Sequence, residues 1–234
     1  MKKSVAVVLA GGRGRRMNSD ISKQYLLLDG KPILAYSLNV FENSFIDEVV
    51  LVVEKGYEEY CRREFVEKYG FHKVKKIIPG GSERYQSVFC GLKCIEDADY
   101  VYIHDGARPF ISKEILERAG MAVQEHGACV VGMMVKDTIK IADEEQFVAD
   151  TPKRSRVWQV QTPQVFSYPL IKEAYEKLME YPDIQVTDDA MVVEEMLGRK
   201  VYLVEGSYEN IKITTQDDLL YGEVLCKKYW TESE

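Results

Sequence analysis

The sequence predicts an α/β fold, a mostly parallel sheet with helices on both faces. Three observations carry that reading. Six short apolar runs, at 5–9, 49–53, 74–78, 100–104, 129–135 and 201–204, read as strands. They are almost continuously apolar, as strands become when both faces of a sheet are covered. Longer segments with helical periodicity separate most of them, and such alternation implies parallel strands joined by right-handed crossovers.

The elements follow in order. Pro32-Ile33-Leu34 opens a helix with Leu34, Leu38 and Phe41 on one face and proline at an allowed early position. A second helix runs from Tyr57 to about Tyr69 and stops at Gly70. A third starts near Ser82 with Val88, Leu92 and Ile95 as its stripe. Ser112 caps a fourth, which carries Ile115, Leu116 and Ala119. The pattern then changes. Thr138-Ile139-Lys140-Ile141 and Arg156-Val157-Trp158-Gln159-Val160 alternate like strands around a turn-like Asp143-Glu144-Glu145. This predicts a β-ribbon arm over 137–160 that projects from the sheet. A two-stranded ribbon alone is marginal in water, so a second subunit is its economical partner, which implies a homodimer. Helices at 170–179 and 188–197 follow, the second ended by Gly198. The last strand, the segment 210–214 and a helix from Gln216 to about Lys228 complete the chain. With no repeat or linker, 1–234 reads as one domain with a Rossmann-like, doubly wound sheet.

Composition narrows the function. The 234 residues carry 31 Lys+Arg against 38 Asp+Glu, a net charge of −7, which argues against nucleic acid and membrane surfaces as partners. The apolar stretch from Val5 to Ala10 is too short to span a bilayer and leads into no small-residue cleavage site. The chain therefore reads as soluble and cytoplasmic. Five cysteines without a C-x-x-C indicate neither a disulfide framework nor a zinc site, and they fit a reducing compartment.

In open α/β sheets ligands sit beyond the carboxyl ends of the strands. Three strands here end in unusual sequence. The first ends in Leu9-Ala10-Gly11-Gly12-Arg13-Gly14-Arg15-Arg16-Met17, where glycines let backbone N–H groups approach a phosphate. Arg13, Arg15, Arg16 and Lys23 against the single acid Asp20 make a locally positive island that suits a triphosphate. A dinucleotide fingerprint would need a third glycine at Met17, and no P-loop pattern occurs. The third strand ends in Pro79-Gly80-Gly81-Ser82-Glu83-Arg84, and Arg84 and Ser87 share one helix face. The fourth ends in Ile103-His104-Asp105-Gly106-Ala107-Arg108-Pro109. Asp105 there suits a Mg²⁺-assisted site, Arg108 a second phosphate, and His104 a hydrogen-bonded structural role. Lys212 faces opposite to Ile211 and Ile213 and by itself reads as a surface lysine.

Taken together, these stretches resemble the cytidylyltransferases that make CDP-methylerythritol in the non-mevalonate isoprenoid pathway. The matching residues include Leu9-Ala10-Gly11-Gly12-x-Gly14-x-Arg16-Met17, Lys23-Gln24-Tyr25, Gly80-Gly81-x-Glu83-Arg84-x-x-Ser87-Val88 and His104-Asp105-Gly106-Ala107-Arg108-Pro109. Downstream stand Asp137-Thr138-Ile139-Lys140, Gln161-Thr162-Pro163-Gln164, Thr187-Asp188-Asp189-Ala190 and Glu205-Gly206-x-x-x-Asn210-Ile211-Lys212. The nearest competitor is ribitol-5-phosphate cytidylyltransferase, which usually shows Ser-Val where Gly106-Ala107 stand.

The resemblance implies CTP and methylerythritol phosphate as substrates and Mg²⁺ or another divalent cation as cofactor. It implies that Arg16, Lys23, Arg154 and Lys212 are catalytic, the first two stabilising charge on the phosphates. Leu9, Ala10, Gly11, Gly12, Gly14, Gly80, Gly81, Arg84, Ser87 and Asp105 would bind the nucleotide, with Asp105 also helping to place the metal. Arg108, Thr138, Thr162 and Thr187 would bind the acceptor, Thr138 and Arg154 reaching it from the other subunit. Two positions depart from the family pattern: Ser22 stands where proline is usual, and Ser82 where an acidic residue is common.

Overall fold

The computed structural model describes residues 2–12, 22–181 and 184–230. β1 (Ser4–Ala10) is followed by a short hairpin, β2 (Leu27–Leu28) and β3 (Lys31–Pro32), and by α1 (Ile33–Glu42). β4 (Glu48–Val53) leads to α2 (Glu58–Cys61), which continues as a π-helical stretch over Arg62–Glu67. β5 (Val74–Pro79), α3 (Arg84–Lys93), β6 (Tyr100–Asp105), α4 (Lys113–His126) and β7 (Ala128–Met134) alternate regularly. A small ribbon of β8 (Ile141–Ala142) and β9 (Val148–Asp150) precedes β10 (Trp158–Ser167). α5 (Tyr168–Leu178), α6 (Asp189–Leu197), β11 (Tyr202–Glu205) and α7 (Gln216–Trp230) complete the described chain.

Seven strands form one sheet in the order β11-β7-β10-β6-β1-β4-β5. Each neighbouring pair is parallel except those that β10 makes with β6 and β7. The alternation along β1 explains the two helical layers. Ala6, Val8 and Ala10 face a core built with Leu34, Leu38 and Phe41 of α1 and with Ile115, Leu116 and Ala119 of α4. Val5 and Val7 face the other, built with Val88 and Leu92 of α3, Ile171 and Tyr175 of α5, and Val192 and Val193 of α6. A third, smaller cluster seats Leu225 and Cys226 of α7 against Leu28, Ile33, Phe110 and Ile213.

Several local expectations hold. The Ser112 hydroxyl accepts from Ile115 N at 3.4 Å, capping α4, and Gly127 ends that helix at φ 76°. Gly198 ends α6 at φ 60°. The ribbon needs correcting. Its second strand is 148–150, not 156–160. Trp158, Gln159 and Val160 instead pair with Met134, Met133 and Gly132 in the main sheet. The alternation at 156–160 is a genuine strand signal, but it marks the wet end of a strand whose continuation, from Gln161 to Phe166, is buried between β6 and β7. The turn at the ribbon tip is built by Asp143, whose Oδ1 accepts from Glu145 N at 3.0 Å and Phe147 N at 2.9 Å.

Candidate active site

The chain leaves β1 toward β4 and β5, then returns to place β6 on β1's other side. Such a reversal opens a crevice beyond the carboxyl ends of the two strands. Leu9 of β1 is in register with Asp105 of β6, so the two strands end side by side at that point. The cleft there has a volume of about 200 Å³ and opens to solvent.

One wall comes from β1. Gly11 and Gly12 line the cleft, and a β-carbon on Gly11 would lie 3.3 Å from the Val53 carbonyl carbon, so the backbone there runs tight against β4. Lys23 arrives on a single 3₁₀ turn, Lys23–Tyr25, whose other two side chains are buried. The Gln24 amide and the Tyr25 hydroxyl both donate to the Ala10 carbonyl. The Tyr25 ring stacks on Phe65 at 5.2 Å and meets Tyr60 edge-on at 5.6 Å. Its hydroxyl lies 3.2 Å from Cys61 Sγ, and burial pushes that thiol up to about 11. Gln24 and Tyr25 thus fix the turn from behind while Lys23 lines the cleft.

The opposite wall comes from β5 and α3. Gly81 N donates to Ser87 Oγ at 3.1 Å, folding the glycine loop over the first turn of α3. Gln86 Oε1 accepts from Ser82 N at 3.0 Å and from Glu83 N at 3.2 Å, holding the helix start. Any side chain at Gly81 would collide with Gln86, its β-carbon falling 2.4 Å from Gln86 Cβ. Arg84 and Ser87 both line the cleft, as their shared helix face predicts.

Asp105 forms the floor and gathers the cations. Lys212 Nζ lies 2.7 Å from its Oδ2, Arg84 Nε 3.4 Å from its Oδ1, and Arg108 Nε 3.9 Å from its Oδ2. Burial alone would raise the Asp105 carboxyl, but Arg84, Lys212 and Arg108 together hold it well below the usual carboxylate range. Burial works against the Arg84 charge too, and Asp189 and Asp105 overcome it, so Arg84 stays firmly protonated. Arg108 is eased downward by burial, with Asp105 opposing. His104 is wholly buried. Its Nδ1 lies 3.0 Å from Thr162 Oγ1, and burial pushes it down to about 4, so it is a neutral structural group.

The donor set limits what metal this floor can hold. Among the described residues no three His, Cys, Asp or Glu side chains cluster as a metal site. A lone carboxylate suits a cation that brings most of its oxygen ligands with it, as Mg²⁺ does on substrate phosphates.

The sequence pattern of the 2-C-methyl-D-erythritol 4-phosphate cytidylyltransferase family matches residues 4–228. The chain belongs to that family. It is 46% identical over 229 residues to the protein of that name from Lachnoclostridium phytofermentans, with 98% of each chain covered. It is 50% identical over 226 residues to the one from Lachnospira eligens, covering 96% of this chain and 99% of the relative. The crystal structure of 4-diphosphocytidyl-2C-methyl-D-erythritol synthase from Anaerococcus prevotii superimposes with a TM-score of 0.86 at 34% identity, covering 97% of this chain and 96% of that one.

As a cytidylyltransferase of this family, the chain brings Leu9, Gly11, Gly12, Lys23, Gly81, Arg84, Ser87, Asp105 and Lys212 to one cleft. Gly14 and Arg16 lie outside the described residues, as do Arg13, Arg15 and Met17. Ala10 and Gly80 stand one layer back, Ala10 through its carbonyl and Gly80 through N–H donation to Val53 O at 2.8 Å. Arg108 is turned inward, donating from Nη1 to Asn210 O at 2.8 Å, while its buried Nε lacks a hydrogen-bond partner. Thr162 is placed differently from the expectation of a ligand contact. It is buried behind the floor, and its Oγ1 accepts from Asp105 N at 3.1 Å while lying against His104, so its hydroxyl is occupied in shaping the Asp105 turn. Thr187 is exposed in the approach to α6 and its hydroxyl lies 3.7 Å from Met191 Sδ. Thr138 and Arg154 are exposed near the arm, outside this chain's own cleft, and Arg154 donates to Lys136 O at 3.1 Å.

The sequence marks Asp189 as part of a matching stretch but assigns it no role. Asp189 is fully buried and holds Arg84 in a two-pronged pair, Nη1–Oδ1 at 2.9 Å and Nη2–Oδ2 at 2.8 Å, and it also accepts from Tyr175 OH at 2.5 Å. An aspartate in the first turn of a helix signals only a helix start, so its partner 105 residues away is invisible locally.

Proposed function

We propose that this chain transfers CMP from CTP to 2-C-methyl-D-erythritol 4-phosphate, giving CDP-methylerythritol and pyrophosphate. The observation that carries the reading is the cation-ringed carboxylate at the heads of β1 and β6, in a chain matched to the family over 4–228. A phosphate oxygen of the acceptor attacks the α-phosphorus of CTP in line. The new P–O bond forms as the bond to the β-phosphate oxygen breaks, and pyrophosphate leaves with that electron pair. The attacking oxygen is already anionic, so no general base is needed, and catalysis rests on positioning and on neutralising charge.

Lys23 faces the triphosphate, and Arg16 is its sequence neighbour in the same role. Each cation about 4 Å from a phosphate oxygen gains roughly 4 kcal/mol at an effective dielectric near 20. Gly11, Gly12, Gly81, Arg84 and Ser87 hold the cytidine end with backbone groups and short side chains that leave no room for a purine. Lys212, Arg108 and Thr187 take the acceptor phosphate and polyol. A divalent cation, with Asp105 as its protein oxygen, would supply further charge neutralisation at the phosphates.

We read the arm as a dimer contact that carries Thr138 and Arg154 to the partner subunit's cleft. Ile141, Phe147 and Val148 stand exposed on so small a ribbon, which favours a partner over solvent. Among the described residues no helix is long and apolar enough to cross a membrane, and we place the enzyme in the cytoplasm.

The test is pyrophosphate release with CTP, Mg²⁺ and methylerythritol phosphate, each omitted in turn. Release only with all three supports the reading. Equal turnover with ribitol 5-phosphate would move the chain to the sister activity.

A further inference from the structure

β10 sends four consecutive residues, Gln161, Thr162, Pro163 and Gln164, through the middle of the sheet, all of them buried. A buried glutamine amide needs partners for both its ends, and it is retained only where they are supplied. Here they are supplied by two different parts of the site.

Gln164 is 1% exposed. Its Oε1 accepts from Ala190 N at 2.8 Å, and its Nε2 donates to Asp188 Oδ2 at 3.0 Å. Asp188 in turn caps α6, accepting from Met191 N at 2.9 Å. The glutamine thus grips the first turn of α6 at both sides of Asp189, and Asp189 is the residue that holds Arg84. Gln161 works on the other side. Its Nε2 donates to Ser207 O at 2.7 Å, and its Oε1 accepts from Asn210 Nδ2 at 3.3 Å. Asn210 also donates to Thr162 O at 2.9 Å, two residues before Lys212. Gly206 is needed for this contact, because a β-carbon there would lie 2.4 Å from Gln161 Oε1.

We infer that Gln164 and Gln161 are positioning residues that set the two sides of the cleft separately. Gln164 orients Arg84 through α6 and Asp189, and Gln161 orients Lys212 through the segment 206–210. The inference rests on the cytidylyl-transfer reading, in which Arg84 serves CTP and Lys212 serves the acceptor. Each glutamine then affects one substrate and leaves the other nearly untouched.

The experiment compares Gln164→Met and Gln161→Met, which keep side-chain volume but remove the amide. CTP binding is measured by calorimetry with Mg²⁺, and both KM values by pyrophosphate release. Gln164→Met is expected to weaken CTP about tenfold and leave the KM for methylerythritol phosphate within about twofold. Gln161→Met is expected to do the reverse. A second comparison reverses hydrogen-bond polarity at the α6 grip. Gln164→Glu alone faces the Asp188 carboxylate and loses CTP affinity. Combined with Asp188→Asn it regains that affinity, since one side accepts and the other donates again. Gln161→Asn, which withdraws the amide by one methylene, stands in if Gln161→Met does not fold. Equal changes in both KM values, or no rescue in the paired variant, overturns the inference. A wild-type protein that releases no pyrophosphate overturns the functional reading instead.

Discussion

Lys212 reaches the floor of the cleft because its neighbours are anchored. Ile213 is fully buried and its N–H donates to Ala107 O at 2.9 Å, so the residue before it is turned toward Asp105. Lys23 is placed by the same device, two buried neighbours and one outward cation. Lys23→Ala should lower turnover by about 10²–10³, the scale for losing one oriented charge-stabilising donor, and change CTP affinity much less. Single-turnover rates beside equilibrium binding check this, and equal losses in both would make Lys23 a simple grip. Asp189→Ala should cost roughly 3–5 kcal/mol of stability, because it removes the two-pronged partner of a mostly buried guanidinium and leaves it only Asp105 at 3.4 Å. Urea unfolding measures that cost, and a loss below about 1 kcal/mol would deny the pair its structural weight. Arg84, Ser87 and Asp105 were legible at this scale because glycines and helix starts mark strand ends. Asp189 and the inward turn of Thr162 were not, because each depends on a partner distant in sequence.

At the scale of elements, periodicity recovers the six parallel strands and the main helices, since most of these strands are covered on both faces and read as near-continuous apolar runs, although β5 carries Lys75 and Lys76 and β11 is largely exposed. β10 is where it fails. Its first three residues alternate in polarity at the exposed end of the strand, and its remainder carries buried glutamines and a threonine that lack the look of a core strand. Polar satisfaction across the sheet, not hydrophobicity, keeps those residues inside, and composition does not report it. The short ribbon of β8 and β9 is the element that depends on a partner. If Arg154 serves the other subunit's cleft, mixing Arg154→Ala with Lys23→Ala protein should restore activity through hybrid dimers that retain one intact site. Verified heterodimers without recovered turnover would end the shared-site assignment.

For the whole molecule, acid stability should follow His104 first and Asp105 later. The His104 ring is held neutral near pKa 4 by burial, against an ordinary 6.5. The unfolded chain therefore takes up its proton first, and stability falls as pH drops from about 6.5 toward 4. Between pH 7 and 5 the loss is about 2 kcal/mol. Asp105 adds a further loss only below its ordinary 3.8, because its carboxyl is held lower in the folded state. Urea midpoints across this range test the order, and in His104→Gln the slope between pH 7 and 5 should flatten. A wild-type curve that is flat above pH 5 would refute the assignment.

Between Asp105 and Ala107 the chain turns at Gly106, where a β-carbon would sit 3.0 Å from the Leu9 carbonyl oxygen and 2.9 Å from Leu34 Cδ1. A side chain at this buried turn would therefore have to push aside the tip of Leu34 and press on the Leu9 carbonyl. In a saturation library at position 106, selected for growth on this enzyme alone, glycine should dominate the survivors. Any lineage that exchanged it would first have to loosen Leu34 and respace β1 from β6, so drift toward a neighbouring acceptor specificity would need several coordinated substitutions.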